Sequence, residues 1–180
     1  MIKILIGVIV AAFVVIVGFM IIDPDLEQPN NLQNSLSIMT SGNGYKYTIE
    51  GEVNIAGTYV LSEEITMADL IEAAGGATAN ADDLAYFPAA VLKNNSSYYI
   101  SGKFDANDIC STTPIVKVNI NEDNAETLMS VSGITTSIAT SLVSYRTGNG
   151  LYNTLEDVMN VYGIGNATYN KIRSYIILHS

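Results

Sequence analysis

A segment near the C-terminus occurs twice, thirty residues apart, and this duplication constrains the fold more than any other feature of the chain. Residues 125–146 align with residues 155–176 without a gap, and seven of the twenty-two positions are identical. Each copy has a helical pattern, a tight turn with glycine and a second helical pattern, which predicts two similar supersecondary units packed together. The identical pairs are Glu126 and Glu156, Met129 and Met159, Val131 and Val161, Gly133 and Gly163, Ile134 and Ile164, Ser144 and Ser174, and Tyr145 and Tyr175.

The duplicated region predicts four short helices arranged as two helix-hairpin-helix units. Asn121 is a favoured N-cap residue, and Glu122 and Asp123 would lie in the first turn of the next helix, where the helix dipole favours acidic side chains. Thr154 and Asp157 have the spacing of a capping box at the start of the second copy. The helices are therefore expected over residues 122–130, 136–146, 154–160 and 166–178.

Glycine at each turn predicts a backbone that an anion can approach. A chain that reverses within a few residues needs glycine, and a side chain there would also keep a phosphate group away. The first N–H groups of the following helix have no intrahelical partner and can donate to that phosphate. Two such hairpins predict contacts to the phosphates of double-stranded DNA, without readout of base sequence. The candidate phosphate-binding residues are Gly133, Ile134, Thr135, Thr136, Gly163, Ile164, Gly165, Asn166, Lys171 and Arg173.

Two points stay open at the hairpins. Thr135 stands where the second copy has Gly165. If that position requires a positive φ, a β-branched residue is strained there, but if it is a helix N-cap, the Thr135 hydroxyl fits and adds a phosphate donor. The second point is whether the hairpins contact phosphate at all. They could instead be plain connections in a small helical bundle, with Ile134 and Ile164 buried between the helices.

The charge of the chain bears directly on a nucleic-acid partner. The formal net charge is −10 at pH 7, which opposes long-range attraction of DNA. Most of this charge precedes the duplication, because residues 118–180 have five acidic and three basic residues, a net charge of −2. The duplicated region is therefore nearly neutral rather than basic, and we expect weak DNA binding.

Catalytic, metal and cofactor sites are not expected. Cys110 and His179 are the only cysteine and histidine, so the chain can form neither an intramolecular disulfide nor a zinc site of the usual ligands. A DNA glycosylase with such a hairpin needs an aspartate further along the chain, and no acidic residue follows Gly165. Glu156 and Asp157 are explained as residues at a helix start. We therefore expect a binding protein without a cofactor, not an enzyme.

The N-terminus contains a run of nineteen uncharged and mostly apolar residues, Ile4 to Ile22. This length is close to the roughly twenty residues that cross a bilayer as a helix. The run ends directly at Asp23, without the small residues of a signal-peptide cleavage site, so we expect an uncleaved anchor. Lys3 before the run indicates a cytoplasmic N-terminus. The sequence thus predicts a single-pass protein of the cell membrane with its C-terminal domains extracellular.

The segment between the anchor and the duplication predicts a small α+β domain. Residues 23–44 are rich in Asn, Gln, Ser, Pro and Gly, which is typical of a flexible stalk. The residues after it change from a period of two to a helical period and back. The expected elements are strands at 45–49 and on both sides of a turn at 54–57, a helix at 65–74 that ends at Gly75 and Gly76, and a strand at 98–100.

This domain resembles the SLBB family, a β-grasp module. The run from Tyr47 to Tyr59 is similar to the opening pattern V-x-G-x-V-x-x-P-G-x-Y, with Ala56 in place of the proline. Leu70 to Gly76 is similar to the pattern I-x-x-A-G-G at the end of the family's helix. The resemblance covers residues 45–102 and implies the β-grasp fold.

Residues 118–180 resemble the C-terminal domain of ComEA-type competence proteins. A membrane anchor, an SLBB-like domain and a tandem helix-hairpin-helix domain together are the architecture of that family. The resemblance implies a surface receptor that binds double-stranded DNA non-specifically and passes it to the DNA-uptake machinery in transformation. The matching motifs are Val118-Asn119-Ile120-Asn121, Leu128 to Thr135, Tyr145-Arg146 with Gly150-Leu151-Tyr152, Glu156-Asp157-Val158, and Val161 to Gly165.

The expected fold class is α+β, with an N-terminal transmembrane helix, a small β-grasp domain and an all-α tandem helix-hairpin-helix domain. We expect the β-grasp domain to fold independently, because the linker after it offers little to bury. The alternative function is a surface structural or interaction protein whose SLBB-like domain forms a homo-oligomer or binds a surface polymer. The expected divisions are an anchor at 1–22, a stalk at 23–44, the SLBB-like domain at 45–102, a linker at 103–117 and the hairpin domain at 118–180.

Overall fold

The computed structural model describes residues 44–61, 64–105 and 113–180. The transmembrane helix expected at 1–22, the stalk before Gly44 and Cys110 lie outside the described residues. Within the described part of the chain, no helix is long and apolar enough to cross a bilayer. The described residues belong to one compact unit of strands, α-helices and 3₁₀ helices, which confirms the α+β class.

The first half of this unit, residues 44–105, contains a three-stranded sheet. β1 (Tyr45–Gly51) pairs antiparallel with β2 (Gly57–Leu61), and β3 (Ser96–Ile100) pairs parallel with β1, so the strand order is β2-β1-β3. Tyr47 and Ile49 are fully buried because alternate side chains of a strand point to the same face. The strands expected at 45–49, after the turn at 54–57 and at 98–100 are confirmed, whereas no strand is formed between the end of β1 at Gly51 and that turn.

Helix α1 (Met67–Ala73) begins where the sequence has a capping box. The Thr66 hydroxyl accepts a hydrogen bond from the Asp69 N–H, and the Asp69 carboxylate accepts one from the Thr66 N–H at 2.8 Å. Gly75 and Gly76 follow with φ of +77° and +92°, which only glycine adopts readily, so the helix stops there. The side chains of α1 that are buried are Met67, Leu70 and Ile71.

The second half, residues 113–180, contains both copies of the duplicated segment. Both copies contribute equivalent positions to one apolar core, so the duplication holds in the packing as well as in the sequence. The elements are β4 (Val118–Asn119), α2 (Ala125–Leu128), α3 (Thr136–Asn149), the 3₁₀ helix η2 (Leu155–Asn160), α4 (Asn166–Ile172) and β5 (Ile176–Ile177). The equivalent buried pairs are Leu128 and Val158, Val131 and Val161, Ile134 and Ile164, Ala139 and Tyr169, and Leu142 and Ile172.

The last helix is shorter than the sequence predicts. A helix is expected over 166–178, but α4 ends at Ile172 and β5 pairs in parallel with β4. The Val118 N–H donates to the Tyr175 carbonyl at 3.0 Å. The β-branched pair Ile176–Ile177 suits a half-buried strand, and β4 supplies the partner from the other end of the region. The helix expected over 122–130 is likewise reduced to the four residues of α2.

Asn121 is a buried connector and not the N-cap of the first helix. Its side-chain amide donates to the carbonyls of Tyr152 at 3.0 Å and Leu178 at 2.9 Å, and its side-chain oxygen accepts from the Tyr152 N–H at 2.9 Å. The cap of α2 is Asn124. The capping prediction is wrong because a buried amide needs partners for all its polar groups, and tertiary packing supplies them here.

Contacts between several elements join the two halves. Ala85 of a short 3₁₀ helix, η1 (Asp83–Ala85), is buried in the core of the second half. The two halves thus share polar contacts, and the independent folding of the SLBB-like domain stays a prediction. The hydrogen-bonded or ion-paired residues across the boundary are Tyr99 and Glu156, Glu50 and Arg173, Lys93 and Asp157, Asp82 and Lys117, and Leu84 and Leu178.

Candidate nucleic-acid interface

The two hairpins have the same backbone geometry. In the first, the Ile134 N–H donates to the Val131 carbonyl at 3.0 Å, and Gly133 between them has a φ of +111°. A non-glycine residue would be strained in this left-handed conformation, so the turn requires glycine. Ile134 is buried as the sequence predicts. The second hairpin repeats this with Val161, Gly163 at a φ of +95°, and the buried Ile164.

Thr135 and Gly165 are the N-cap residues of α3 and α4. Their φ values are −81° and −102°, which non-glycine residues adopt without strain. The Thr135 hydroxyl accepts a hydrogen bond from the Ile138 N–H at 3.4 Å, so the threonine is an unstrained cap. A Cβ atom at Gly165 would have no atom within 4 Å. The glycine therefore leaves open the approach to the start of α4.

The starts of α3 and α4 present backbone N–H groups to solvent. The first intrahelical bond of α3 runs from the Ala139 N–H to the Thr135 carbonyl at 2.8 Å, and that of α4 from Tyr169 to Gly165 at 2.9 Å. No side chain caps α4 at Gly165. The N–H groups of the residues that precede Ala139 and Tyr169 in these helices, except that of Ile138, which Thr135 caps, are the donors that an anion can use. They belong to exposed residues, which include Thr136, Ser137, Asn166 and Ala167.

Each hairpin packs against a helix of the other copy. A Cβ atom built on Gly163 would lie 3.4 Å from Cγ1 of Ile138, which is in the first turn of α3. A Cβ atom built on Gly133 would lie 3.1 Å from Cδ of Lys171 and 3.2 Å from Cγ2 of Ile172, in the last turn of α4. The second hairpin therefore lies beside the start of α3.

Lys171 and Arg173, both candidate phosphate ligands, differ in their surroundings. Lys171 is exposed, its aliphatic stem lies on Gly133, and no acidic side chain of the described residues forms an ion pair with it. The Arg173 guanidinium lies 4.0 Å from the centre of the Tyr99 ring, and its Nη1 is 3.2 Å from Oε2 of Glu50. The structure thus places Lys171 at the first hairpin and turns Arg173 toward the sheet.

Arg146, the third basic residue of the hairpin domain (118–180), donates its side-chain hydrogen bonds to the backbone. Its guanidinium donates to the carbonyls of Ile120 and Asp123, each at 2.6 Å. These carbonyls belong to the segment between β4 and α2. Arg146 therefore stabilises that connection, and Lys171 remains the basic side chain of the described second half that can reach a phosphate without losing such a partner.

Glu156 has a role that no local sequence pattern shows. Its Oε1 accepts hydrogen bonds from the Tyr99 N–H at 2.8 Å and from the Tyr169 hydroxyl at 2.5 Å. Burial raises the pKa of Glu156 to about 7, although the two hydrogen bonds favour the charged form, and the neighbouring Asp157 raises the pKa further. The identical residue of the first copy, Glu126, is exposed. Two contacts distinguish Glu156 from Glu126, namely those with β3 and with Tyr169, whose counterpart in the first copy is Ala139.

The rest of the described surface offers neither a metal site nor an acid–base pair in its cavity beside α1. No three His, Cys, Asp or Glu side chains within 44–61, 64–105 and 113–180 are grouped so that they could hold a metal ion. A cavity of about 600 Å³ lies beside α1, with Ile71, Gly75, Gly76 and Tyr86 in its lining. Glu72 is the carboxylate that lines it, so this cavity contains no acid–base pair.

Comparison with known proteins identifies the family. Residues 113–177 match the model of the helix-hairpin-helix motif, and residues 46–101 match that of the SLBB domain. ComE operon protein 1 of Bacillus subtilis (strain 168) is 31% identical over 137 residues, which are 71% of this chain and 67% of that protein. The chain belongs to the ComEA-type family. Both resemblances inferred from the sequence are thereby confirmed.

The ComEA-type chain also matches short stretches of a second group of proteins. Endonuclease/exonuclease/phosphatase family domain-containing protein 1 of Rattus norvegicus is 35% identical over 69 residues, 38% of this chain and 12% of that protein. The protein of the same name in Bos taurus is 38% identical over 60 residues, 33% of this chain and 10% of that protein. The matches cover about a tenth of these relatives, so they carry no activity over to this chain.

Proposed function

We propose that this ComEA-type protein is a membrane-anchored, extracellular receptor that binds double-stranded DNA non-specifically and passes it to the DNA-uptake machinery in transformation. The relation to ComE operon protein 1 and the match to the helix-hairpin-helix motif support the competence-related DNA binding. The apolar run at 4–22 and the charges that flank it support the anchor and its orientation.

The observation that carries the DNA-binding proposal is the position of the second hairpin beside the start of α3. Ile138 packs on Gly163, so the exposed N–H groups of α3 begin next to the hairpin that leads into α4. Backbone donors at a helix start bind phosphate oxygens and contribute no base-specific contact. In this proposal, each of the two neighbouring sets of donors contacts one phosphate backbone of the duplex.

The residues of this interface contribute in different ways. Gly133 and Gly163 permit the chain reversals. The side chains of Ile134 and Ile164 are buried, so only their backbone atoms can approach a phosphate. The exposed positions at the two helix starts are Thr135, Thr136, Gly165 and Asn166.

The shortage of free cations sets the expected salt dependence. Lys171 stands beside the first hairpin, whereas Arg173 reaches a phosphate only by leaving Glu50 and Tyr99. Each phosphate that a Lys or Arg neutralises contributes about −0.9 to the slope of log affinity against log salt, so Lys171 gives a slope of about −1, and Lys171 with a released Arg173 gives about −2. We therefore expect weak DNA binding and a shallow dependence of log affinity on log salt.

The proposal contains no enzymatic step. The carboxylate of Glu156, a half-buried acid of the second half, faces Tyr99 and Tyr169 at the contact with the sheet. The starts of α3 and α4 have no acidic residue in their first turn. A hydrolytic reaction at the bound phosphate would need such a group or a metal ion to activate water.

Self-association of the SLBB-like half is a second candidate function, favoured by the outer edge of β2. Glu156 occupies the outer edge of β3 at Tyr99, whereas β2 pairs only with β1 among the described strands. An unpaired strand edge can add a strand from another molecule. Light scattering of the full-length protein in detergent micelles tests this, and a monomer at all concentrations would remove the candidate.

A titration of labelled duplexes of unrelated sequence with the full-length protein over a salt series tests the main proposal. We expect affinities that agree within about twofold between sequences, because phosphate contacts do not read bases. A strong preference for one sequence, or the absence of binding at low salt, would contradict the receptor function.

A further inference from the structure

Tyr162 is a large hairpin side chain that does not pack in the apolar core. Among the residues that the structure describes, it is the most exposed large apolar side chain, with 88% of its surface accessible. Its counterpart in the first copy is Ser132. The hairpin positions around it are unchanged between the copies, namely Val131 and Val161, Gly133 and Gly163, and Ile134 and Ile164.

The surroundings of Tyr162 leave its ring open on the hairpin surface. Gly163 follows directly, and a Cβ atom built on Gly165 would stand in open space. Ile138 in the first turn of α3 packs on Gly163, and α4 begins at Asn166. No stacked ring or cation contacts Tyr162 in the described part of the chain. Tyr162 therefore presents an exposed ring in the turn that leads to Gly165, the N-cap of α4.

The second hairpin lacks a free cation close to it. Lys171 lies on Gly133 of the first hairpin, and Arg173 is engaged by Glu50 and Tyr99. An aromatic ring binds a nucleobase without net positive charge, because the two stack through their π faces. In a chain with a net charge of −10, stacking adds affinity that does not depend on counterion release.

We propose that Tyr162 stacks on an unpaired nucleobase and so directs the second hairpin to DNA that has an overhang or a single-stranded stretch. This inference rests on the proposed DNA binding and adds a structural preference to it. Entry of a side chain between stacked base pairs costs roughly as much as one base–aromatic stack returns, so an intact duplex gains little from the ring. An unpaired base requires no such opening.

The test compares two DNA probes and three variants of the full-length protein in detergent micelles. The probes are a blunt duplex and the same duplex extended by a thymidine overhang. Tyr162→Ser copies the residue of the first hairpin, Tyr162→Phe keeps the ring, and Ser132→Ala controls for a change at the equivalent position. Circular dichroism establishes that the variants are folded, and affinities are measured by anisotropy at low and high salt.

We expect Tyr162→Ser to bind the overhang probe about 5- to 150-fold more weakly than the parent, the range for one base–aromatic stack. Tyr162→Phe and Ser132→Ala should bind it like the parent, and the ratio of parent to Tyr162→Ser should not change with salt. Affinity for the blunt duplex should change less than about twofold.

Three results would overturn the inference, and they separate it from the proposed function. If the parent binds DNA and folded Tyr162→Ser binds the overhang probe equally well, stacking is wrong but the receptor proposal stands. If Tyr162→Ser lowers the affinity for both probes by the same factor, the ring contacts duplex DNA and not an unpaired base. If the parent binds neither probe at low salt, the proposed function itself fails.

Discussion

The Tyr99 backbone N–H donates to Oε1 of Glu156 at 2.8 Å, so a carboxylate of the hairpin half closes the outer edge of β3 in the SLBB-like half. The same oxygen accepts the Tyr169 hydroxyl of α4 at 2.5 Å. One acidic side chain thereby links the sheet to the helix that follows the second hairpin. Its ionisation should affect the stability of both halves.

Glu156→Gln should make the stability of the folded protein less dependent on pH. Burial raises the folded-state pKa of Glu156 from 4.5 to about 7, so the folded state binds the proton more tightly. The stability from this group is therefore complete below pH 4.5 and is lost as the pH rises through about 7. Above that range the glutamine variant should be more stable than the parent, by at most about 3 kcal/mol. Urea unfolding at several pH values measures this, and identical pH dependence of parent and variant would contradict it.

Glu50→Gln should strengthen DNA binding by releasing Arg173. The ion pair between them is partly exposed and stabilises the fold by no more than about 1 kcal/mol, so its loss should not unfold the protein. A released guanidinium can neutralise one further phosphate, which would steepen the salt slope by about one. Glu72→Gln removes the same charge from an exposed position on α1 and is the control. An equal gain in both variants would show that only net charge matters.

Lys171→Gln should weaken DNA binding and reduce the salt slope by about one, because Lys171 is the unpaired cation beside the first hairpin. Lys46→Gln on β1 removes an exposed positive charge from the other half and should change the slope little. The measurement is a set of anisotropy titrations over a salt series. A parent-like slope for Lys171→Gln would exclude its contact with phosphate.

Protease added to intact cells should remove the chain beyond residue 22, if the apolar run is an uncleaved anchor with a cytoplasmic N-terminus. The expectation follows from the length of the run and from Lys3 and Asp23 on its two sides. N-terminal sequencing of the cell-associated protein provides the second readout. Complete protection from protease, or a mature N-terminus near Asp23, would contradict the orientation or the anchor.

Local patterns in the sequence predicted the parts of the fold that depend on neighbouring residues. The turn glycines Gly133 and Gly163, the buried Ile134 and Ile164 and the capping box of Thr154 with Asp157 all follow from short-range rules, and the structure contains each of them. The backbone conformation at Thr135 could not be decided in this way. In the structure, Thr135 and Gly165 both have a negative φ and cap the helices that follow. The turn glycine and the helix cap are therefore different residues in each hairpin.

Contacts between distant residues account for what the sequence did not show. The charge of Arg173 in the sequence predicts a phosphate ligand, but its partner Glu50 is 123 positions away. Glu156 resembles any helix-start acid until β3 is placed against it, and Ile176 joins a strand only because β4 offers an edge. No rule based on periodicity or spacing along the sequence predicts these pairings.

The most direct test of the central claim is the affinity of folded Gly165→Val for duplex DNA. A valine at Gly165 has open space and an ordinary backbone conformation, so it should leave the fold intact and obstruct the approach of phosphate to the start of α4. Gly148→Val, also in open space, lies near the far end of α3, about 18 Å along the helix from Thr136, and is the matched control. The account predicts weaker binding for Gly165→Val and parent-like binding for Gly148→Val, with Thr135→Val losing less than Gly165→Val. Parent-like binding by folded Gly165→Val would show that the hairpins are structural connections and would contradict the account.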